Sequence, residues 1–490
     1  MASGPTSTLC RDRPRRVASP RPWKVDMDPA VHPYIPNSAP DTRREMLTFI
    51  GVDQVEELYR EIPERLRLKR PLDLPEPYRS EYDLERYVHG ILAKNVTCDD
   101  YLSFLGGGCE KHHVPAVVDV IVSRGEFLTA YFANAYTDNG AFQALFEYQS
   151  LMCDLLDMDV AGYPLTCGLH ASGTAVRMAA RITGRSEVLV PATMNPRRLQ
   201  QMRTYCQHSE VARIATIAFD SASGLLDRRD LEGKLDSDTA CVFVENPSYL
   251  GPIESQMHQI VEAAHSRGAL LVACVNPISL GVLASPGEYG ADIACGDSQS
   301  LGVHMNYGGG ATGFVATRDL PGHIAEFPNQ MVNVTRAGAG DSVGFTMYAY
   351  PERLSYRARE LAKDYTGTNA ALWAIANAVY LSLMGPQGMW EIGETIVKKT
   401  HYAKRLIATV PGVALPFSAP SFNEFVVNFD GTGKTAGEIN EALLARQIFG
   451  GVDLSEDFPE LGQSALYCVS ETHAADDLKR LASALHGVTQ

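Results

Sequence analysis

The sequence predicts an α/β fold built on a mostly parallel sheet, and two observations support this. Nearly continuous apolar runs, which are typical of strands covered on both faces, occur at residues 187–191, 239–245 and 269–275. Helical patterns alternate with these runs, at residues 174–183, 196–207 and 256–267. This alternation is typical of βαβ units, in which a helix joins two parallel strands.

The order of the segments predicts four parts. Residues 1–40 are rich in Pro, Ser and Arg and contain too few apolar residues to pack, which indicates a flexible tail. Helical patterns within residues 41–100 predict a helical N-terminal segment. Residues 101–370 form the predicted large α/β domain, and residues 371–490 a smaller C-terminal α+β domain.

The helices at the start of that C-terminal part have a clear punctuation signal. The Ala-rich pattern of residues 369–384 predicts one helix, and residues 394–409 predict another. Between them the sequence Gly-Pro-Gln-Gly at 385–388 predicts a break, because Gly and Pro interrupt helices.

Composition excludes several functional classes. The net charge is -15, with 58 Asp and Glu against 43 Lys and Arg, which argues against a nucleic-acid or anionic-membrane surface. No run of 18 apolar residues is present, so we expect no membrane span. The ten cysteines include no CxxC pair and no Cys/His cluster, so neither a disulfide framework nor a metal site is indicated. Reduced thiols favour a cytoplasmic location.

Three glycine-bearing loops are each either a candidate ligand site or only a tight turn, and for residues 170–175 a plain helix-capping role is favoured. Residues 170–175 precede the predicted helix 174–183, where backbone N–H groups and the hydroxyls of Ser172 and Thr174 are able to hold a phosphate or simply to cap the helix. Residues 307–313 and 103–108 are glycine runs that suit either close approach to a ligand or plain turns.

Histidines offer weaker candidates. His112 and His113 are adjacent, so their side chains diverge and do not form a pair of metal ligands, and a surface or packing role is favoured. His170 lies beside Ser172 and Thr174 and is the better candidate for an anion or substrate contact, although a single loop histidine is more often structural.

Ordered motifs give a more specific signal. The sequence closely resembles the glycine decarboxylase P-protein family, in order and spacing, from about residue 42 to about residue 485. The resemblance is carried by residues 103–108, 115–119, 126–131, 146–149, 287–292, 296–302, 309–310, 384–388 and 422–425.

This resemblance implies a fold-type-I pyridoxal phosphate unit, similar to aspartate aminotransferase, with a large mostly parallel-sheet domain and a smaller C-terminal α+β domain. Many prokaryotes make the family's two halves as alpha and beta subunits that assemble as α2β2, and this chain is similar to the alpha subunit. By the resemblance, the beta subunit holds pyridoxal phosphate on its Schiff-base lysine, and none is bound covalently here. The assembled enzyme would decarboxylate glycine, a small amino-acid substrate, and transfer the aminomethyl group to the lipoyl arm of H-protein.

Two sequence features agree with a catalytically silent subunit. The family's active copy places its lysine a few residues before the glycine run, and Gln299 stands at that position. Between Lys111 and Lys363 the only lysine is Lys234, which lies in a polar segment typical of a solvated turn or helix. No Asp follows the strand 269–275, where the active copy has the partner of the pyridinium nitrogen. We therefore expect no catalytic residue on this chain.

Residues near the loops are expected to contribute to the pocket or the interface instead. These are Tyr131, Tyr136, Asn139, His170, Ser172, Thr174, Asn306, Gly308 and Gly309.

Three contact loops depart from the alpha-subunit pattern, at residues 132–140, 168–174 and 327–332. Two alternatives therefore stay open: a paralogue recruited to another amino acid with its own beta-like partner, and a non-catalytic scaffold or regulatory subunit. A further hypothesis is that residues 170–175 hold the phosphate of a cofactor noncovalently.

Overall fold

A computed structural model describes residues 35–70, 72–128, 139–306, 311–328, 331–336, 342–348, 363–364 and 370–489. The chain divides into two compact units, residues 1–93 and residues 94–490. Most of the predicted tail lies outside the described residues.

The described part of the first unit is mainly helical. Helix α1 spans Pro40–Ile50, a 3-10 helix spans Val55–Tyr59, and helix α2 spans Glu81–Leu92. The hydroxyl of Ser80 caps α2 by accepting a hydrogen bond from the backbone N–H of Asp83 at 3.3 Å. The helical patterns within residues 41–100 therefore correspond to two α-helices and a 3-10 helix.

Strands of the second unit are, in chain order, β1 Leu102–Ser103, β2 Val160–Ala161, β3 Glu187–Pro191, β4 Arg213–Ile217, β5 Thr239–Asn246, β6 Leu270–Val275, β7 Ile293–Asp297, β8 Gly313–Thr317, β9 Met331–Arg336, β10 Val343–Tyr348, β11 Glu424–Asn428, β12 Ile448–Phe449, β13 Val452–Asp453 and β14 Ser464–Cys468. Its helices are α3 Ala116–Val122, α4 Gly125–Leu128, α5 Asn139–Leu156, α6 Gly168–Thr183, α7 Pro196–Cys206, α8 Arg228–Lys234, α9 Met257–Ser266, α10 Pro321–Glu326, α11 Ala371–Ile407, α12 Ala436–Leu444 and α13 Ala475–Thr489.

The central sheet has the strand order β2-β8-β7-β6-β5-β3-β4. Strands β3 to β7 run parallel, and β8 and β2 pair antiparallel at one edge. Every residue of β3 and β5 is buried, because helices cover both faces of the sheet. Val242 and Val244 pack in the core that α5 and α11 share, whereas Cys241 and Phe243 pack in the core beneath α6 and α7. The predicted parallel α/β fold is confirmed.

A smaller antiparallel sheet, β11-β14-β13, forms with α12 and α13 near the C-terminus. Strand β1, although it lies early in the sequence, pairs parallel with β12, with Leu102 opposite Ile448. Phe104 continues this pairing by donating its N–H to the carbonyl of Phe449 at 2.9 Å, and its own carbonyl accepts a hydrogen bond from the N–H of Cys468, in β14, at 2.9 Å. The residues that follow β1 are therefore held against the C-terminal sheet.

The long helix α11 both confirms and corrects the sequence prediction. It contains a break at Gly385, whose backbone angles, φ 58° and ψ -177°, are not helical. The second half of the helix begins directly after this break, with Pro386, rather than at residue 394 as predicted. Proline favours the first turn of a helix, because its missing N–H is not needed there and its φ is already helical.

A buried histidine ties the segment after β1 to the C-terminal sheet. His112 Nδ1 lies 2.8 Å from Glu471 Oε2, and its Nε2 lies 3.6 Å from Glu110 Oε1. The other oxygen of Glu471 accepts a hydrogen bond from the backbone N–H of His113 at 2.6 Å. Burial acts to lower the pKa of His112, but the neighbouring carboxylates of Glu110 and Glu471 prevail and raise it to about 10. His112 is therefore packed in the interior, where it is the cation between two carboxylates.

We expect His112→Ala to lower the free energy of unfolding by about 3–5 kcal/mol near pH 6, because it leaves two buried carboxylates without their cation. The raised pKa makes this contribution complete below pH 6.5, the ordinary value, and it disappears as the pH rises through about 10. Denaturant titrations should therefore show the free energies of unfolding of His112→Ala and of the unaltered protein converging as the pH rises through about 10. His113→Ala is the matched control, since His113 is exposed and its backbone N–H remains. Equal loss in the two variants would contradict the role of the buried imidazolium.

Candidate functional site

A cavity of about 90 Å³ lies at the carboxyl ends of β5, β6 and β7, where Glu245, Asn276 and Asp297 line it. Open α/β sheets bind ligands in the crevice at this edge of the sheet. The opposite wall is formed by the glycine turn after β1 and by Glu424 at the start of β11. Segments distant in sequence therefore meet in one pocket.

Arg198, on α7, is the cation of this cavity. Its Nε lies 2.8 Å from Glu245 Oε1, and its Nη1 donates hydrogen bonds to Ser172 Oγ at 2.8 Å and to Cys274 Sγ at 2.5 Å. Burial acts to lower the pKa of Arg198, but the neighbouring Cys274 and Glu245 outweigh it and raise the pKa. The guanidinium is therefore charged and engaged with the protein itself.

The carboxylate of Asp297 occupies the N-terminus of α6. Its Oδ2 accepts a hydrogen bond from Gly168 N at 2.7 Å, and its Oδ1 accepts one from Gln299 N at 2.9 Å. A helix N-terminus attracts anions because its first N–H groups are unpaired and carry the positive end of the helix dipole. Asp297 supplies that anion from within the chain.

Glycines explain how Glu424 reaches the cavity. A Cβ atom on Gly106 would lie 2.2 Å from Glu424 Oε1, so only glycine fits there. Gly107 and Gly108 have φ of +88° and +98°, and the N–H of Gly107 donates a hydrogen bond to Glu424 Oε1 at 2.6 Å. The glycine run at 103–108 is therefore both a tight turn and a wall of the cavity.

Carboxylates outnumber cations in the lining. Glu110, Glu245, Asp297 and Glu424 face the cavity, whereas Arg198 is the cation among the described lining residues. Burial, and next the neighbouring Glu110, raise the pKa of Glu424 to about 8. Burial also raises the pKa of Asp297 and of Glu245, although backbone N–H donors oppose this for Asp297 and Arg198 opposes it for Glu245. The lining therefore has more carboxyl groups than the guanidinium of Arg198 alone neutralises.

Of the sequence-predicted candidates, Gln299 lines this cavity, and so do Gly107 and Gly108 of the candidate loop 103–108. Gln299 Nε2 donates a hydrogen bond to the carbonyl of Val303 at 2.8 Å. The side chain is 4% exposed and is held by its own turn. Lys234 lies at the end of α8 and pairs with Asp230 at 2.6 Å, so its predicted position in a solvated helix is confirmed.

The expectation for residues 170–175 was wrong in one respect. Helix α6 begins at Gly168, so His170, Ser172 and Thr174 lie inside the helix rather than before it. The N–H groups of Ser172 and Thr174 therefore lie within the helical hydrogen-bond ladder, and the hydroxyl of Ser172 donates to the carbonyl of Gly168 at 2.8 Å. The helix starts earlier because Asp297, remote in sequence, accepts from the N–H of Gly168.

His170 has internal partners as well. Its Nδ1 lies 3.1 Å from Thr166 Oγ1, and its Nε2 lies 3.1 Å from the hydroxyl of Tyr205. Burial lowers its pKa, which favours the neutral ring. Thr174 is fully buried, and its hydroxyl has no hydrogen-bond partner among the residues that the structure describes. These contacts are those of a packed helix.

The remaining predicted residues lie away from the cavity or outside the described chain. Asn306 is exposed and donates a hydrogen bond to the carbonyl of His304 at 3.2 Å. Asn139 is the first residue of α5. The positions outside the described residues are Tyr131, Tyr136, Gly308 and Gly309.

Sequence reasoning missed most of the acidic lining and its cation. Arg198 lies two residues beyond Pro196, in a segment assigned only as a helix, and Glu245 ends a segment assigned only as a strand. Glu424 belongs to a motif that had been used only for the resemblance. The sequence did contain a signal for Glu245 that was not used: a charged residue at the carboxyl end of an otherwise apolar strand.

Solved structures with low sequence identity define the fold class. Sphingosine-1-phosphate lyase of Burkholderia pseudomallei superposes with a TM-score of 0.62 at 13% identity, covering 86% of this chain and 92% of that one. A NifS-like protein superposes with a TM-score of 0.59 at 11% identity, covering 79% and 99%. The chain has the fold-type-I architecture of pyridoxal phosphate enzymes, as expected.

Closer relatives define the family. The family model of the glycine cleavage system P-protein matches residues 32–485. A probable glycine dehydrogenase (decarboxylating) subunit 1 from Desulforamulus reducens is 38% identical, over 93% of this chain and 100% of the relative. One from Chlorobium phaeobacteroides is 41% identical, over 86% and 93%. A crystal structure of inhibitor-bound glycine decarboxylase (P-protein) has a TM-score of 0.83 at 34% identity, covering 94% and 100%. The chain belongs to the glycine cleavage system P-protein family.

Pyridoxal phosphate, the cofactor of this fold class, does not fit the cavity. Gln299 offers no amine for a Schiff base, and the carboxylate of Asp297 already occupies the N-terminus of α6, where a phosphate group would compete with it. The acidic lining also repels a phosphorylated anion. Among the described residues, no group of three or more His, Cys, Asp or Glu is placed to hold a metal ion.

We expect Arg198→Ala to lower the free energy of unfolding by about 3–5 kcal/mol, because Glu245 would remain buried without its partner. Arg197→Ala is the matched control, since Arg197 is the exposed neighbour on the same helix turn. Urea titrations followed by circular dichroism measure both. If the two variants lost the same small free energy of unfolding, the ion pair of Arg198 with Glu245 would not be stabilising the fold.

Proposed function

We propose that this chain is the alpha subunit of a two-subunit glycine decarboxylase P-protein. With a second subunit it decarboxylates glycine and passes the aminomethyl group to the lipoyl arm of H-protein. The observation that carries the proposal is the family match over residues 32–485, combined with a site in which Gln299 stands where the active copy of the family has its lysine.

Assigning the cofactor to the second subunit is part of this proposal. Asp297 at the start of α6, the ion pair of Arg198 with Glu245, and the acidic lining all support a chain that does not itself hold pyridoxal phosphate. The cofactor would supply the electron sink for decarboxylation. This chain would contribute the surface against which the second subunit closes.

The partners and the location follow from the same proposal. Relatives named subunit 1 imply a second subunit, and we infer an α2β2 assembly that meets lipoylated H-protein. Within the described residues no helix is long and apolar enough to cross a membrane. The nine described cysteines are all unpaired, which supports a reducing, cytoplasmic location.

We expect catalysis to require both chains. The isolated chain should be colourless and inactive, because it has no lysine at position 299. Co-expressed with the second subunit and supplied with H-protein, it should support exchange of labelled bicarbonate with the carboxyl group of glycine. An aldimine absorbance from the isolated chain would contradict the assignment. A stable yellow complex without exchange would favour a paralogue acting on another amino acid.

A second experiment separates an active subunit from a scaffold. We expect Asn139→Ala to reduce glycine exchange by tenfold or more in the reconstituted complex while assembly stays intact, because residues near 139 are proposed to reach the partner's pocket. Gln143→Ala, an exposed change one turn further along α5, is the matched control. Unchanged turnover in both complexes, with assembly verified by size-exclusion chromatography, would favour the scaffold.

A further inference from the structure

We infer that the cavity at the carboxyl ends of β5, β6 and β7 binds a small primary ammonium cation, such as methylammonium. This inference concerns a ligand site on the chain itself. It does not depend on glycine decarboxylation, and its test uses no enzyme assay.

The charges around the cavity are only partly balanced by ion pairs within the chain. Arg198 is matched by Glu245 at 2.8 Å, so this pair contributes no net charge. His112, outside the lining, is shared between Glu110 and Glu471, so one positive ring meets two carboxylates.

Asp297 and Glu424 are the other two carboxyl groups that line the cavity. Backbone N–H groups are their hydrogen-bond donors in the described chain, and these carry no full charge. The carboxylate of Asp297 therefore has no side-chain cation of its own among these residues, and Glu424 adds a second negative charge only when it gives up its proton. A cation in the cavity would favour both ionised forms.

Two hydroxyl groups of the cavity lining are buried without partners in the described chain. Ser300 lines the cavity and is 5% exposed, yet its Oγ has no hydrogen-bond partner among the described residues. Ser248 lines the same cavity, and its buried Oγ is equally unpartnered in the described chain. Buried polar atoms are normally paired, by protein, by water or by a ligand. A ligand with several N–H donors would satisfy both hydroxyls.

The acceptors of the lining identify the class of cation. An ammonium group brings three N–H donors, and the cavity lining offers acceptor oxygens on Glu424, Ser300 and Ser248. A quaternary ammonium carries the same charge but no N–H group, and it cannot make these bonds.

An amino acid is a poorer ligand than a simple amine. The carboxylate of a zwitterion would need a free cation, and Arg198 is already engaged by Glu245, Ser172 and Cys274. The cavity of about 90 Å³ also favours a small molecule. A divalent metal is disfavoured too, since the described residues offer no group of three or more suitable side chains.

Binding should be coupled to release of a proton from Glu424. Its raised pKa of about 8 keeps this carboxyl mostly protonated at pH 7, and a bound cation favours the ionised form. The groups that face Glu424 are Glu110 from the segment after β1, Glu245 and Tyr249 from and after β5, Asp297 from β7, and Arg198 from α7. Tyr249 stays neutral because burial raises its pKa. Glu424 is the group best placed to give up the proton.

Isothermal titration of the full-length chain with methylammonium chloride at pH 7, in two buffers of different ionisation enthalpy, tests the inference. We expect saturable binding with release of most of one proton. Tetramethylammonium chloride and sodium chloride at equal ionic strength should give no saturable heat. Glycine should bind at least tenfold more weakly than methylammonium.

Variants make the test specific. Glu424→Gln, which preserves shape and an acceptor for Gly107, should weaken methylammonium binding at least tenfold and abolish proton release. Glu441→Gln, an exposed change on α12, should bind as the unaltered chain does. Ser300→Ala, a second cavity variant, should also weaken binding, and circular dichroism confirms that each variant is folded. No saturable binding to the unaltered chain, equal binding of tetramethylammonium, or equal affinity of Glu424→Gln and Glu441→Gln would overturn the inference.

Discussion

The buried ion pair between Arg198 and Glu245 is the interaction on which the architecture of the site depends. Glu245 is the next-to-last residue of β5, a strand that is buried along its whole length, and a carboxylate in that position requires a cation close by. The same guanidinium reaches Ser172 on α6 and Cys274 on β6. One side chain therefore joins two helices and two strands at the edge of the sheet where related folds bind their cofactor.

Around this pair the chain supplies from its own residues much of what a cofactor would bring. Asp297 places a carboxylate at the start of α6, where an anion is stabilised by free N–H groups. Glu424 reaches the cavity from the C-terminal sheet, and Gly106 makes room for it because any side chain at that position would clash with the carboxyl group. The result is a fold-type-I unit whose crevice is small and acidic.

Much of the fold was predictable because its signals are local. Apolar runs long enough for buried strands, and the helices between them, identified β3, β5, β6, α7 and α9 nearly to the residue. Two predicted helix boundaries were wrong, one because a residue remote in sequence decides it and the other because the break between two helices is a single residue. Helix α6 begins at Gly168 because Asp297 accepts from its N–H, and the second half of α11 begins at Pro386 because Gly385 alone makes the break.

The sequence by itself determined the class of fold, the family and the absence of a lysine at position 299, because each depends on residue identity and order along the chain. Only the tertiary structure decided which side chains share the cavity. Arg198, Glu245, Asp297 and Glu424 come from four separate elements, and their charges interact only once the sheet and the glycine turn bring them together. Burial then sets their protonation, since the energy of a charge depends on the surroundings that folding creates.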